Sequence, residues 1–109
     1  MLDLAKTQND LHSTAISKGW WDEERTFGDI ISLMHSELSE ALEDFRNGRK
    51  YDEIYYEGKK PCGIVIELAD CIIRILDFCG KNNLDLEYAL SKKMAYNSER
   101  PYRHGGKKL

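Results

Sequence analysis

The chain has little of what cross-linking, zinc or membrane chemistry needs. Its three cysteines, Cys62, Cys71 and Cys79, are an odd number at no metal-ligand spacing, which argues against a disulfide framework and against zinc. Cys71 and Cys79 fall inside an apolar helical pattern and read as buried free thiols. Nothing near them in sequence would lower a thiol pKa, which argues against a nucleophilic role. The three histidines are scattered. A Gly-rich phosphate loop is absent, which excludes P-loop chemistry. No apolar run approaches the ~20 residues that span a bilayer. The stretch from Met1 to Lys6 lacks the basic and apolar parts of a signal peptide, so no membrane partner and a cytoplasmic location are expected. Prolines number only two, Pro61 and Pro101, and no segment alternates strictly, so strands are not expected and the fold class is all-α.

What is present fits one soluble domain. The chain has 109 residues, 41% hydrophobic and 32% charged, with a net charge of -3. That length supports a single core. Charge is unevenly laid out. Lys92, Lys93, Arg100, Arg103, Lys107 and Lys108 face a single acid, Glu99, over the last stretch of the chain, so residues 99–109 read as a basic tail and the remainder is acidic. Such asymmetry suits either a nucleic-acid tail or a basic segment that folds back on an anionic ligand held by a metal.

Four helices are predicted. The first spans Leu2 to Ser17, with Leu4, Leu11, Ala15 and Ile16 apolar. A polar loop follows that contains Trp20 and Trp21, which either cap the core or stack on a flat ligand such as a nucleobase. Thr26, with Asp29 three residues on, caps a second helix ending at Arg46-Asn47-Gly48. Ile30, Ile31, Met34, Leu38, Ala41, Leu42 and Phe45 fill its apolar face; Glu37 lies at the edge of that face, Asp44 close by and Glu40 further round the flank. Residues 49–60 read as a loop, either a mobile lid or a short extra turn, with Tyr51, Tyr55 and Tyr56 at a subunit contact. Pro61 suits the first turn of a third helix ending near Cys79-Gly80. This helix is apolar nearly all round, apart from one wedge holding Glu67, Asp70, Arg74 and Asp77, so it is expected to be central. In so short a chain that pattern predicts a dimer, or a dimer of dimers, built from four-helix-bundle-type protomers. The fourth helix runs from an Asp85 cap to Asn97 or Ser98, with Leu86, Leu90 and Met94 on its buried side and Lys93 and Asn97 sharing another face.

The acids carry the chemistry. Glu37-x-x-Glu40 and Glu67-x-x-Asp70 each set two carboxylates on one helix face about a turn apart. Four facing carboxylates repel unless a cation lies between them. Two readings are open: an ion pair of Glu67 or Asp70 with Arg74, or a metal shared with Glu37 and Glu40. An all-oxygen set suits Mg²⁺. A di-iron oxidase would carry Glu-x-x-His, and neither pair has His at its fourth position. An Mg²⁺-held polyphosphate also needs Lys, Arg or Asn, and Lys93, Asn97, Arg100, Arg103 and His104 can supply them.

These two acidic pairs, about thirty residues apart, resemble the signature of the MazG-like all-α nucleoside triphosphate pyrophosphohydrolases. The segment Lys93-Met94-Ala95-Tyr96-Asn97 and the ending Arg100-Pro101-Tyr102-Arg103-His104-Gly105-Gly106 are similar to that family as well. The resemblance covers about Trp20 to Gly106. It implies a dimeric or tetrameric helical bundle that uses Mg²⁺, with Mn²⁺ able to substitute, to split a nucleoside or deoxynucleoside triphosphate into the monophosphate and pyrophosphate. It implies Glu37, Glu40, Glu67 and Asp70 as metal ligands and catalytic acids, Lys93 and Asn97 as phosphate contacts with Arg100 and Arg103 as weaker ones, and Trp20 and Trp21 as base-stacking residues. Many relatives have a further Glu directly after the first pair, where this chain has Ala41, so the metal count and the general base stay open. The alternative reading is a non-catalytic helical module that binds nucleic acid or protein through its basic end. Base and sugar preference depend on pocket shape, which two tryptophans do not define.

Overall fold

Helix boundaries follow the capping signals. The computed structural model describes residues 3–108, apart from the side chain of His104; Leu2, where the first helix is expected to begin, lies outside the described residues. Helix α1 (Leu4–Ser17) opens on Asp3, whose Oδ1 accepts the Lys6 amide at 3.1 Å. Helix α2 (Phe27–Arg46) opens on a reciprocal capping box. The Asp29 amide donates to Thr26 Oγ1 at 3.1 Å and the Thr26 amide to Asp29 Oδ2 at 3.2 Å, so two otherwise unpaired donors are satisfied together. Helix α3 (Ile64–Lys81) and helix α4 (Leu86–Glu99) follow, α4 with Asp85 Oδ1 accepting the Tyr88 amide at 3.0 Å. A single turn, α5 (Arg103–Gly106), lies in the basic tail. The chain is mostly helical, as its patterning predicts.

The segment expected to be a loop or an extra turn is instead a β-hairpin. Strands β1 (Tyr55–Glu57) and β2 (Lys60–Cys62) pair antiparallel, with Tyr55 opposite Cys62 and Tyr56 opposite Pro61. Pro61 therefore belongs to β2 and not to the first turn of α3, which starts three residues later. Tyr55 turns inward and donates its hydroxyl to Asp44 Oδ1 at 2.7 Å, whereas Tyr51 and Tyr56 are exposed. Gly63 joins the hairpin to α3 at φ +135°, and a Cβ there would strike the Glu53 carbonyl oxygen. Only glycine fits that junction.

Helix α3 packs between α1 and α2. At the α1 crossing a Cβ on Gly80 would collide with the Gln8 carbonyl oxygen and lie 2.9 Å from His12 Cβ, so the absence of a side chain sets the approach. Gln8 is buried there and donates to the Leu84 carbonyl at 2.8 Å, fixing the link into α4. Ile30, Ala41, Ile64, Leu76 and all three cysteine thiols are buried.

Much apolar surface is left uncovered. Val65, Leu68, Ile72 and Ile73 on α3 are exposed, as are Leu38, Leu42 and Phe45 on α2. Helix α4 contains no buried residue and touches chiefly α1; Leu90 and Met94, expected on its buried side, are 43% and 67% exposed. Hydrophobic spacing marks the face that needs cover, and within one chain nothing covers it. The accessible surface is 8690 Å², against about 6,200 Å² for a folded monomer of this mass. The radius of gyration is 16.5 Å, against about 13 Å for a compact domain of this length. Among the described residues no helix is long and apolar enough to cross a membrane.

Candidate metal centre and adjoining cleft

Where α2 and α3 pack together, Glu37, Glu67 and Asp70 converge. Each offers a carboxylate oxygen, and these oxygens lie within 4.8 Å of one another. Spacing on α3 puts Glu67 and Asp70 on one face, and Glu37 reaches them from α2. Glu37 and Glu67 are both only 7% exposed, so Glu37 lies deeper than the face edge suggested by the helical pattern. Arg74, expected to neutralise an acid on its own helix, reaches across instead. Its Nε donates to Glu37 Oε1 at 2.9 Å. One guanidinium thus serves a cluster of three carboxylates.

Glu67 carries the oxygen left without a partner. Its Oε2 is buried and accepts no hydrogen bond. Burial, then contact with Glu40 and Glu37, pushes its carboxyl up to about 8. Asp70 is also raised, mainly by burial and then by the Glu37 charge, against the opposing pull of Arg74. Two things satisfy such a group: a proton that it donates to a neighbouring carboxylate, or a cation. The donor set fits a hard divalent ion, being all carboxylate oxygen with neither sulfur nor imidazole. Glu37, Glu67 and Asp70 would hold it. Glu40 is exposed and outside this triad, yet it touches Glu67, and both line a second, acidic hollow of about 210 Å³ at the hairpin. Asp44 also borders that hollow, but it is engaged by Tyr55.

On the other side of the triad lies a cleft of about 320 Å³. Asp70, Ile73, Arg74 and Asp77 run along α3 as one of its walls, while Trp20, Trp21 and Arg25 come from the loop after α1. Both tryptophans therefore reach the cleft, in different ways. Trp20 is exposed, with Arg25 over its ring at 5.8 Å and donating to its carbonyl at 3.0 Å. Trp21 is half-buried, and its Nε1 donates to Asp77 Oδ1 and Oδ2, each at 3.1 Å. His12 Nδ1 shares Asp77 Oδ1 at 2.8 Å.

The residues expected to bind phosphate are not brought here. Lys93 and Asn97 on α4 and Arg103 in the tail are exposed, Arg100 is half-buried, and none of them lines the cleft or the hollow. Lys93 and Arg100 instead lie over Tyr96 at 4.9 and 5.4 Å. The cations beside the acids and the cleft are Arg74, Arg25, Lys18 and Lys60. His12 and Asp77 belong to no motif in the sequence. The only signal for Asp77 was its place in the polar wedge of α3, and His12, 65 residues away from it, gave none. No protein-family model, curated protein or solved structure matches the chain.

The raised Glu67 carboxyl has a consequence for stability. Between its ordinary value of 4.5 and about 8 the folded state holds a proton that the unfolded chain has released. The folded state is therefore favoured at the acid end, and this contribution is lost as pH rises through the folded value. Urea denaturation of metal-free protein should show stability falling between pH 5 and 8, and Glu67→Gln should flatten the slope. An equal slope in the variant would contradict this origin.

Proposed function

We propose that this chain is a Mg²⁺-dependent nucleoside triphosphate pyrophosphohydrolase of the MazG-like kind, releasing a monophosphate and pyrophosphate. The observation that carries the reading is the buried acidic triad of Glu37, Glu67 and Asp70 around an unpartnered Glu67 oxygen, beside an aromatic-walled cleft. Mg²⁺ bound there supplies neutralisation of polyphosphate charge and polarisation of the phosphorus under attack. The protein's own groups would do the rest. Glu67 and Asp70 would hold the ion in their charged forms, Arg74 holds Glu37 in place, and Glu40, exposed beside Glu67, is the remaining acid available to orient a water. The cleft takes the base and sugar, with Trp20 and Trp21 as stacking surfaces.

Phosphate binding by Lys93, Asn97, Arg100 and Arg103 requires a second copy, since α4 packs chiefly on α1 in its own chain. The surplus of about 2,500 Å² over a compact monomer exceeds the ~800 Å² that each partner buries in a standard interface. It includes the apolar face made by Leu38, Leu42, Leu68 and Ile72. We place the dimer contact on that face.

A panel of ribo- and deoxynucleoside triphosphates with Mg²⁺ tests the activity. At least one should yield pyrophosphate, and Glu67→Gln should lower turnover on the order of 100-fold or more, as loss of a metal ligand does. If no nucleotide is cleaved, or the variant keeps its rate, the enzyme reading fails. Sedimentation velocity tests the assembly: the wild type should run as a dimer or larger, and Leu68→Glu with Ile72→Lys should dissociate it. A stable wild-type monomer would rule out the proposed contact.

A further inference from the structure

Asp77 has no place in the metal centre. It lies two turns along α3 from Asp70, about 10 Å of helix rise, too far to share an ion. It is nevertheless held on two sides, with 17% of its side chain exposed. His12 of α1 and the Trp21 indole both meet its carboxylate. The indole is restrained two further ways. Its edge packs against His12, the ring centroids 5.7 Å apart and the planes at 71°. Lys81 lies over its face at 4.9 Å. Its remaining surface lines the cleft. Trp21 belongs to a loop, where side chains ordinarily move. Here two helices hold one ring at its N–H end, its edge and its face.

We propose that Asp77 is a positioning residue for nucleotide binding, which clamps the Trp21 indole as a fixed stacking wall for the nucleobase, with His12 holding Asp77 in turn. The assignment rests on the cleft being the base site of the proposed hydrolase. A preset aromatic wall removes an ordering cost from binding, and stacking on it tolerates any flat base. Asp77 therefore affects how well nucleotide is held and leaves the acids that act on phosphate untouched.

The test is a double-mutant cycle of Asp77→Asn and Trp21→Phe, read as KM and kcat on the best nucleotide of the panel. Asp77→Asn keeps the size of the side chain and removes its charge. It should raise KM about tenfold, within the range that one base–aromatic stack contributes, and leave kcat within about twofold. Trp21→Phe keeps a ring and removes the N–H, so Asp77→Asn added to it should change KM little further. A second readout needs no turnover. In a Trp20→Phe background, nucleoside monophosphates should quench Trp21 fluorescence, and Asp77→Asn should weaken that binding and diminish the near-ultraviolet dichroism of the indole. Additive effects in the cycle, or a fall in kcat at unchanged KM, would overturn the role of Asp77 while leaving the hydrolase intact. Cleavage of no nucleotide together with no quenching by any monophosphate would overturn both.

Discussion

A buried carboxylate that faces other carboxylates must hold either a proton or a cation, and Glu67, with its Oε2 buried, is in that position. Among the described residues no side chain donates a hydrogen bond to its Oε2. The one arginine at hand is engaged by Glu37, and Glu40 and Asp70 add charge of the same sign. Three carboxylates thus share one guanidinium, an excess of negative charge unless a proton or a cation is held there. Helix packing keeps it that way. Gly80 lets α1 close on α3, and Gly63 sets the hairpin against the start of α3.

The polar wedge of α3 runs through the whole account. Glu67 and Asp70 converge with Glu37, Arg74 crosses to Glu37, and Asp77 accepts the Trp21 indole N–H at the cleft wall. One face of one helix thus joins the acidic cluster to the aromatic-walled cleft. The opposite side of the helix has the reverse character. Val65, Leu68 and Ile72 are apolar and exposed.

Helix positions were legible because capping is local chemistry. Thr26 with Asp29, Asp85, and Asn47-Gly48 mark their helix ends as the sequence predicts. The hairpin was not legible. Strands of three residues carry no alternation, and Pro61 suits a helix start as readily as an edge strand. The acidic pairs were legible as spacing, but their partners were not. Whether Arg74 pairs within α3 or across to α2 depends on the helix crossing, and the His12–Asp77–Trp21 contact joins residues 56 to 65 positions apart. Helix α4 shows the same limit from the other side. Its apolar spacing is present, yet a single chain supplies no surface for Leu90 and Met94 to meet.

In the proposed hydrolase Glu67 exchanges a proton for a metal ion. Calorimetric titration of Mg²⁺ near pH 7, repeated in buffers of different ionisation enthalpy, measures that exchange. With its carboxyl near 8, the wild type should release about one proton for each ion bound, and Glu67→Gln should release none and bind Mg²⁺ more weakly. Mg²⁺ binding with no proton release, or with equal affinity in Glu67→Gln, would contradict the account.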